Sequence, residues 1–213
     1  KMPRQHFIKE FPGKENNLRW TANEIASRRM WSEALGRFEP AIVEQQKGRD
    51  PLSFQGLADS GEHSFGYSIP NLLIDHAMRN THVPPGFWRG VNLNQNTIYL
   101  ECFIDEIAHA TQQDPLALRR KLMASHPKHL AVLNAAAERA GYGQPAPDVN
   151  GQKVFRGLSV THGFGSYVAA CAEVSVSDDG DLKIHRIVAA TDCGHAVNPQ
   201  QIEAQVEGSF VYG

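Results

Sequence analysis

The chain has 213 residues, 41% of them hydrophobic and 21% charged, with a formal net charge of -2. That balance belongs to a globular protein able to bury a sizeable core. It gives no reason to expect a nucleic-acid partner, since no basic run appears, and no apolar run approaches the ~20 residues that span a bilayer. The three cysteines, Cys102, Cys171 and Cys193, have neither metal-ligand spacing nor the number of a disulfide framework. Cys102 and Cys171 sit in apolar runs and read as buried small hydrophobes. Lys1-Met2-Pro3 does not read as a natural start, and Phe210-Val211-Tyr212-Gly213 stops within an apolar pattern. Both ends suggest a piece of a longer polypeptide.

Residues 1–20 are weakly patterned. Thr21 stands three residues before Glu24, a capping box that predicts a helix from Thr21 to about Phe38. Residues 46–66 are loop-like, and Pro70 suits the start of an extended run ending near Met78. A helix is predicted from about Asn94, with Leu100, Phe103, Ile104, Ile107 and Ala108 on its inner face and Glu101, Asp105, Glu106 and His109 mostly outside it. Asp114-Pro115 opens a second helix as N-cap and first-turn proline. A third runs from Pro127 to Ala140, with Leu130, Leu133 and Ala137 inward and Gly141 as its stop. His126 and His129, near its start, read as part of a solvated face. Gln144 to Gly151 is a loop. Val154 to Val176 is strand-rich, broken at His162-Gly163-Phe164-Gly165. Asp178-Asp179-Gly180-Asp181 marks a hairpin turn, and Leu182 to Val188 form the return strand. The fold class is α+β: a helical middle segment followed by antiparallel strands.

Two constellations carry chemistry. Pro84-Pro85-Gly86-Phe87-Trp88-Arg89-Gly90 is a loop with two aromatics and one Arg, set ahead of a helix start. Its glycines permit close backbone approach, Arg89 offers a planar fork of donors for phosphate or carboxylate, and helix N-termini favour anions. An ordinary turn with Arg89 stacked on Trp88 fits the same residues. The second constellation is Asp192-Cys193-Gly194-His195-Ala196-Val197-Asn198-Pro199-Gln200-Gln201, a strand–turn–helix passage capped by Asn198. Down that helix Ile202, Val206 and Ser209 share a face, with Gln205 on its flank. A Gln turned inward must satisfy both amide donors and its acceptor. Either a loop backbone or a ligand with polar edges, such as a pterin, answers that need. Cys193 and His195, two apart in a turn, leave a Cys–His hydrolase as a further reading.

The two constellations, with what lies between them, resemble the molybdenum hydroxylases. Phe87-Trp88-Arg89-Gly90 with Gln95, then Glu101-Cys102-Phe103-Ile104-Asp105-Glu106-Ile107-Ala108, resembles that family's Phe-Arg-Gly-x-x-x-x-Gln and Glu-x-Phe-x-Asp-Glu-Leu-Ala. Tyr67-Ser68-Ile69-Pro70-Asn71, Asp114 to Leu122, Asp192-Cys193-Gly194, Asn198-Pro199 and Gln205-Val206-Glu207-Gly208 resemble its other segments in order. The large subunits of isoquinoline 1-oxidoreductase-like enzymes and related aldehyde dehydrogenases are the nearest in form. The resemblance covers about residues 46–213, a partial molybdopterin-binding domain; residues 1–45 match poorly.

The resemblance implies a full-length oxidoreductase that hydroxylates a carbon next to nitrogen in an aromatic heterocycle, or oxidises an aldehyde, with water as the oxygen source. It implies a molybdenum–molybdopterin cofactor, as the cytosine dinucleotide form. It also implies a small 2Fe-2S partner subunit and, in some relatives, a cytochrome, in either the cytoplasm or the periplasm. The cofactor carries the hard chemistry while the protein orients it. The positions implied to touch it are Arg89 and Gln205, then Trp88 and Gly90 as backbone approach points. No catalytic residue and no protein ligand to the metal is assigned. The family's catalytic Glu stretch has no counterpart here, nor does its Gly-Gln-Gly pterin loop. The 213 residues alone are therefore expected to be inactive and to hold no cofactor tightly. The alternative is a non-catalytic interaction domain that keeps the fold.

Overall fold

The computed structural model describes residues 30–32, 37–39, 56–57, 64–72 and 89–212. The chain divides into two units, residues 1–57 with 71–96 and residues 58–70 with 97–213. In the first unit, β1 (Met30–Ser32) pairs antiparallel with β2 (Arg37–Glu39), Trp31 opposite Phe38. The helix expected to reach Phe38 is therefore replaced at its end by a hairpin. Aromatic residues favour extended backbone, and Gly36 lies between the two arms in sequence. The start of that expected helix, at Thr21, lies outside the described residues.

Helix α1 (Leu93–Ala110) spans the division between the units. In the second unit come α2 (Pro115–Leu122), α3 (Pro127–Ala140), and the strands β3 (Phe155–Gly163), β4 (Ser166–Val176) and β5 (Leu182–Asp192), closed by α4 (Pro199–Tyr212). The strands form one antiparallel meander in the order β3-β4-β5. The first hairpin turns on Phe164 and Gly165, both at positive φ (52° and 75°), between the paired Gly163 and Ser166. Two residues in that conformation match the twist of the flanking strands. The second hairpin turns at Gly180, φ 89°, whose N–H donates to Ser177 O at 2.9 Å.

The helix signals hold where they are local. Asp114 Oδ1 accepts from Ala117 N at 2.8 Å, capping α2 ahead of Pro115. Gly141 ends α3 in the left-handed conformation, φ 67°. Helix α3 packs across all three strands. The core between this helix and the sheet joins Ile104, Ala108, Leu116, Met123, Leu133, Ala136, Leu158, Val160, Cys171 and Val188. Arg156 and Arg186 fasten the far end. Arg156 donates to Gly141 O at 2.8 Å and Gln144 O at 2.6 Å, and Arg186 donates to Arg139 O at 3.1 Å. Cations there meet the negative end of the α3 dipole. Both guanidinium groups also face Glu173.

Several expectations change. Pro70 stands in a bend rather than a strand, and residues 73–78 lie outside the described residues. Phe103 is 59% exposed and Cys102 is exposed, while Glu101 is 4% exposed. The buried stripe of α1 is rotated to Glu101, Ile104 and Ala108, because a charged partner waits for Glu101 on α2. His129 is buried rather than solvated.

Candidate cofactor-binding site

Arg89 and Gly90 belong to the turn that opens α1. Gly90 has φ 83°, and its carbonyl accepts from Leu93 N at 2.9 Å. Asn94 folds back to donate to Arg89 O. The positive φ favours glycine here, and a Cβ at Gly90 would sit 2.1 Å from Asn94 Oδ1 and displace that side chain from Arg89 O. Val91 follows at φ 51°, a strained state for a β-branched residue. Such strain costs on the order of 1–3 kcal/mol and collects at ligand clamps. Arg89 is exposed. Trp88 lies outside the described residues.

Gln205 sits on α4, capped by Asn198, whose Oδ1 accepts from Gln201 N at 3.3 Å. No residue of this helix is buried; Ile202 and Val206 are half-buried and Gln205 is exposed. The inward-turned amide expected from the sequence is thus a surface amide. Arg89 and Gly90 fall in the first unit and Gln205 in the second. The turn carries a guanidinium with the donors a phosphate takes, and α4 carries a surface carboxamide with two donors and an acceptor.

Asp192, Cys193 and His195 form a turn in which Asp192 Oδ1 accepts from Gly194 N at 3.0 Å. Among the described residues no hydrogen bond joins Cys193 to His195, and no group of three or more His, Cys, Asp or Glu side chains is placed to hold a metal ion. Nor is any described helix long and apolar enough to cross a membrane.

Sequence reasoning missed the polar centre of the second unit. Arg119, fully buried, donates through Nε to Glu101 Oε2 at 3.1 Å and through Nη2 to Glu101 O at 3.1 Å and Leu158 O at 3.2 Å. Its Nη1 reaches Asp105 Oδ1 at 2.5 Å. Glu101 also accepts from Tyr67 Oη at 2.8 Å and Val160 N at 3.1 Å. Burial raises the Glu101 carboxyl above its usual range, and these donors oppose that rise. Burial would lower the Arg119 pKa, but Glu101, Tyr67 and Asp105 together outweigh that and raise it. Leu158 O and Val160 N face outward from edge strand β3, so the pair takes the place of a missing neighbouring strand. The visible signal was a charge inside the stripe Ile104, Ala108. The residues of the motif Glu-x-x-x-Asp are thus spent on architecture.

A second missed cluster surrounds His129. Its ring lies edge-on to Tyr167, His162 and His126, at centroid distances of 4.8, 5.4 and 5.8 Å, and Nε2 meets Ser64 O at 3.3 Å. Burial lowers its pKa to about 4. His162 stacks on Tyr167, 4.0 Å between centroids.

Two family models match different stretches of the chain. Residues 1–49 match a family model described as the sigma-70 non-essential region. A relative of that kind, the RNA polymerase sigma factor RpoD of Neisseria gonorrhoeae, is 49% identical over 45 residues, 21% of this chain and 7% of its own length. Residues 107–213 match the model of the molybdopterin cofactor-binding domain. The beta subunit of isoquinoline 1-oxidoreductase from Brevundimonas diminuta is 25% identical over 94% of this chain and 29% of its own length. A nicotinate dehydrogenase subunit of Pseudomonas putida is 31% identical over 61% of this chain and 12% of its own length. The chain therefore spans less than a third of the length of these relatives. No solved structure matches. With half of its residues covered by that model and the motifs in register, the chain belongs to the molybdopterin cofactor-binding domain family of the molybdenum hydroxylases.

Proposed function

We propose that the whole protein is the cofactor-carrying subunit of a molybdenum-dependent oxidoreductase that hydroxylates an N-heteroaromatic ring. The observation that carries this is the strained Arg89-Gly90-Val91 turn at the head of α1, where an exposed guanidinium precedes a helix start. Two relatives named for isoquinoline and nicotinate support a ring nitrogen in the substrate. When bound, the molybdenum–pterin group, in the cytosine dinucleotide form, would supply two-electron oxidation with oxygen drawn from water. Arg89 would neutralise phosphate charge, Gly90 and Trp88 would allow close approach of the loop, and Gln205 would pair with the pterin edge. The partners proposed to accept electrons from the bound cofactor are a small 2Fe-2S subunit and, in some assemblies, a cytochrome. The 213 residues alone are proposed to be inactive, because the family's catalytic Glu stretch has no counterpart in their sequence.

Residues 1–45 are proposed to stand apart from the cofactor domain, which starts near residue 46. The sigma-family match over 1–49 supports that boundary. The test is the full open reading frame, expressed with molybdate and its partner subunit. Arg89→Ala and Gln205→Ala are expected to lower bound molybdenum per chain and turnover of isoquinoline and nicotinate, with melting temperature unchanged. Full molybdenum content in both variants would sink these assignments, and turnover of aldehydes alone would sink the substrate class.

A further inference from the structure

Val91 carries the strain of the turn that opens α1, a valine at φ 51° next to Gly90 at φ 83°. Backbone of that kind persists only where neighbouring contacts over-determine it. Two contacts bridge it. Leu93 N donates to Gly90 O at 2.9 Å, and Asn94 Nδ2 donates to Arg89 O. The first is a main-chain bond that any sequence can make. The second depends on one side chain, which reaches backward out of α1 to the residue before the turn.

The other carboxamides at the head of α1 are used differently. Gln95 Nε2 donates to Asn92 Oδ1 at 2.9 Å, which joins those two to each other. Asn92 and Asn96 are buried, whereas Asn94 is exposed. The Asn94 carboxamide lies in the space that Gly90 leaves open, where a Cβ would stand 2.8 Å from Asn94 Cγ. The two residues act as a pair: Gly90 admits the carboxamide, and the carboxamide fixes the carbonyl of Arg89. A helix start normally presents a side-chain acceptor to its own orphan N–H groups. Here a side-chain donor takes a carbonyl that precedes the helix, so the bond serves the turn rather than the helix.

We propose that Asn94 is a positioning residue for Arg89, holding the left-handed Gly90–Val91 step so that the guanidinium is presented to the phosphate of the cofactor. This rests on the proposed reading of Arg89 as a phosphate-binding residue. Asn94 itself need not touch the ligand. Without its bond, Val91 has the commoner right-handed and extended states open to it. Apparent affinity then falls with the fraction of chains that keep the competent turn. One neutral hydrogen bond sets the scale of that fall at about fivefold.

The full open reading frame, expressed with molybdate and its partner subunit, supplies the test. Molybdenum left on the chain after timed gel filtration gives the rate of cofactor loss. Asn94→Ala should speed that loss about fivefold where Arg89 is present, and by less than about twofold in an Arg89→Ala background. Asn94→Leu keeps the volume without the donor and should behave in the same way; if one variant fails to fold, the other carries the comparison. Hydrogen exchange in the molybdenum-free protein reads the turn without ligand. Asn94→Ala should speed exchange over residues 90–93, while Arg89→Ala leaves it unchanged, since Asn94 holds a backbone carbonyl. Equal molybdenum loss from Asn94→Ala in both backgrounds, no loss from it while Arg89→Ala sheds the cofactor, or unchanged exchange over 90–93 would overturn the inference and leave the assignment of Arg89 standing. Full molybdenum content in Arg89→Ala would instead remove the reading beneath it, and the inference with it.

Discussion

Arg119 reaches no solvent, yet its guanidinium serves two carboxylates and three backbone carbonyls on α1, α2 and β3. A lysine ammonium is a point donor and cannot span that set. Arg119→Lys is therefore expected to destabilise the fold nearly as much as Arg119→Met, by about 3–5 kcal/mol, since either strands buried Glu101. Urea midpoints of the two variants check this. His129 sets the acid limit. Its folded pKa, about 4, lies below the ordinary 6.5, so the unfolded chain binds more protons between those values and stability is lost as pH falls through that window. The loss amounts to about 3 kcal/mol once pH is below 4. Lys128, His126 and His162 share the neighbourhood, and no carboxylate bonds to the ring. In His129→Phe the urea midpoint should be nearly flat from pH 6.5 to 4; an unchanged slope would refute the assignment.

Among the elements, α2 depends most on its cap. It has only eight residues, too few to be helical alone. Asp114→Ala is expected to cost about 1 kcal/mol, read as a lower thermal midpoint, with Asp114→Asn near wild type. This cap, Pro115, Gly141 and the Asp-Gly hairpin were legible because each is a local signal, settled within a few residues. Phe103 and Cys102 were misplaced because periodicity gives a stripe's width but not its rotation. That rotation is set by Arg119, Leu158 and Val160, which arrive from elsewhere in the sequence. Gln205 was expected inward from the pattern of Ile202 and Val206, but those two residues are only half-buried. At the site, the glycine and the helix start at residues 90–93 were readable, while the strain at Val91 was not, since nothing local announces a left-handed valine.

At the scale of the whole molecule, two family models match different stretches, one described as the sigma-70 non-essential region over residues 1–49 and one as the molybdopterin cofactor-binding domain over 107–213. If the proposed boundary holds, removing residues 1–45 leaves the unfolding midpoint of the remainder within experimental error, measured by the near-ultraviolet signal of Tyr67 and Tyr167. A fall of several degrees would tie the two segments together. The Glu101–Arg119 pair also bears on how far the domain can be dissected. A meander excised without α1 and α2 would carry two raw margins instead of one, and strands with both margins raw stack end on end into fibres. The smallest excerpt that stays dispersed must keep both helices, although neither adds a strand.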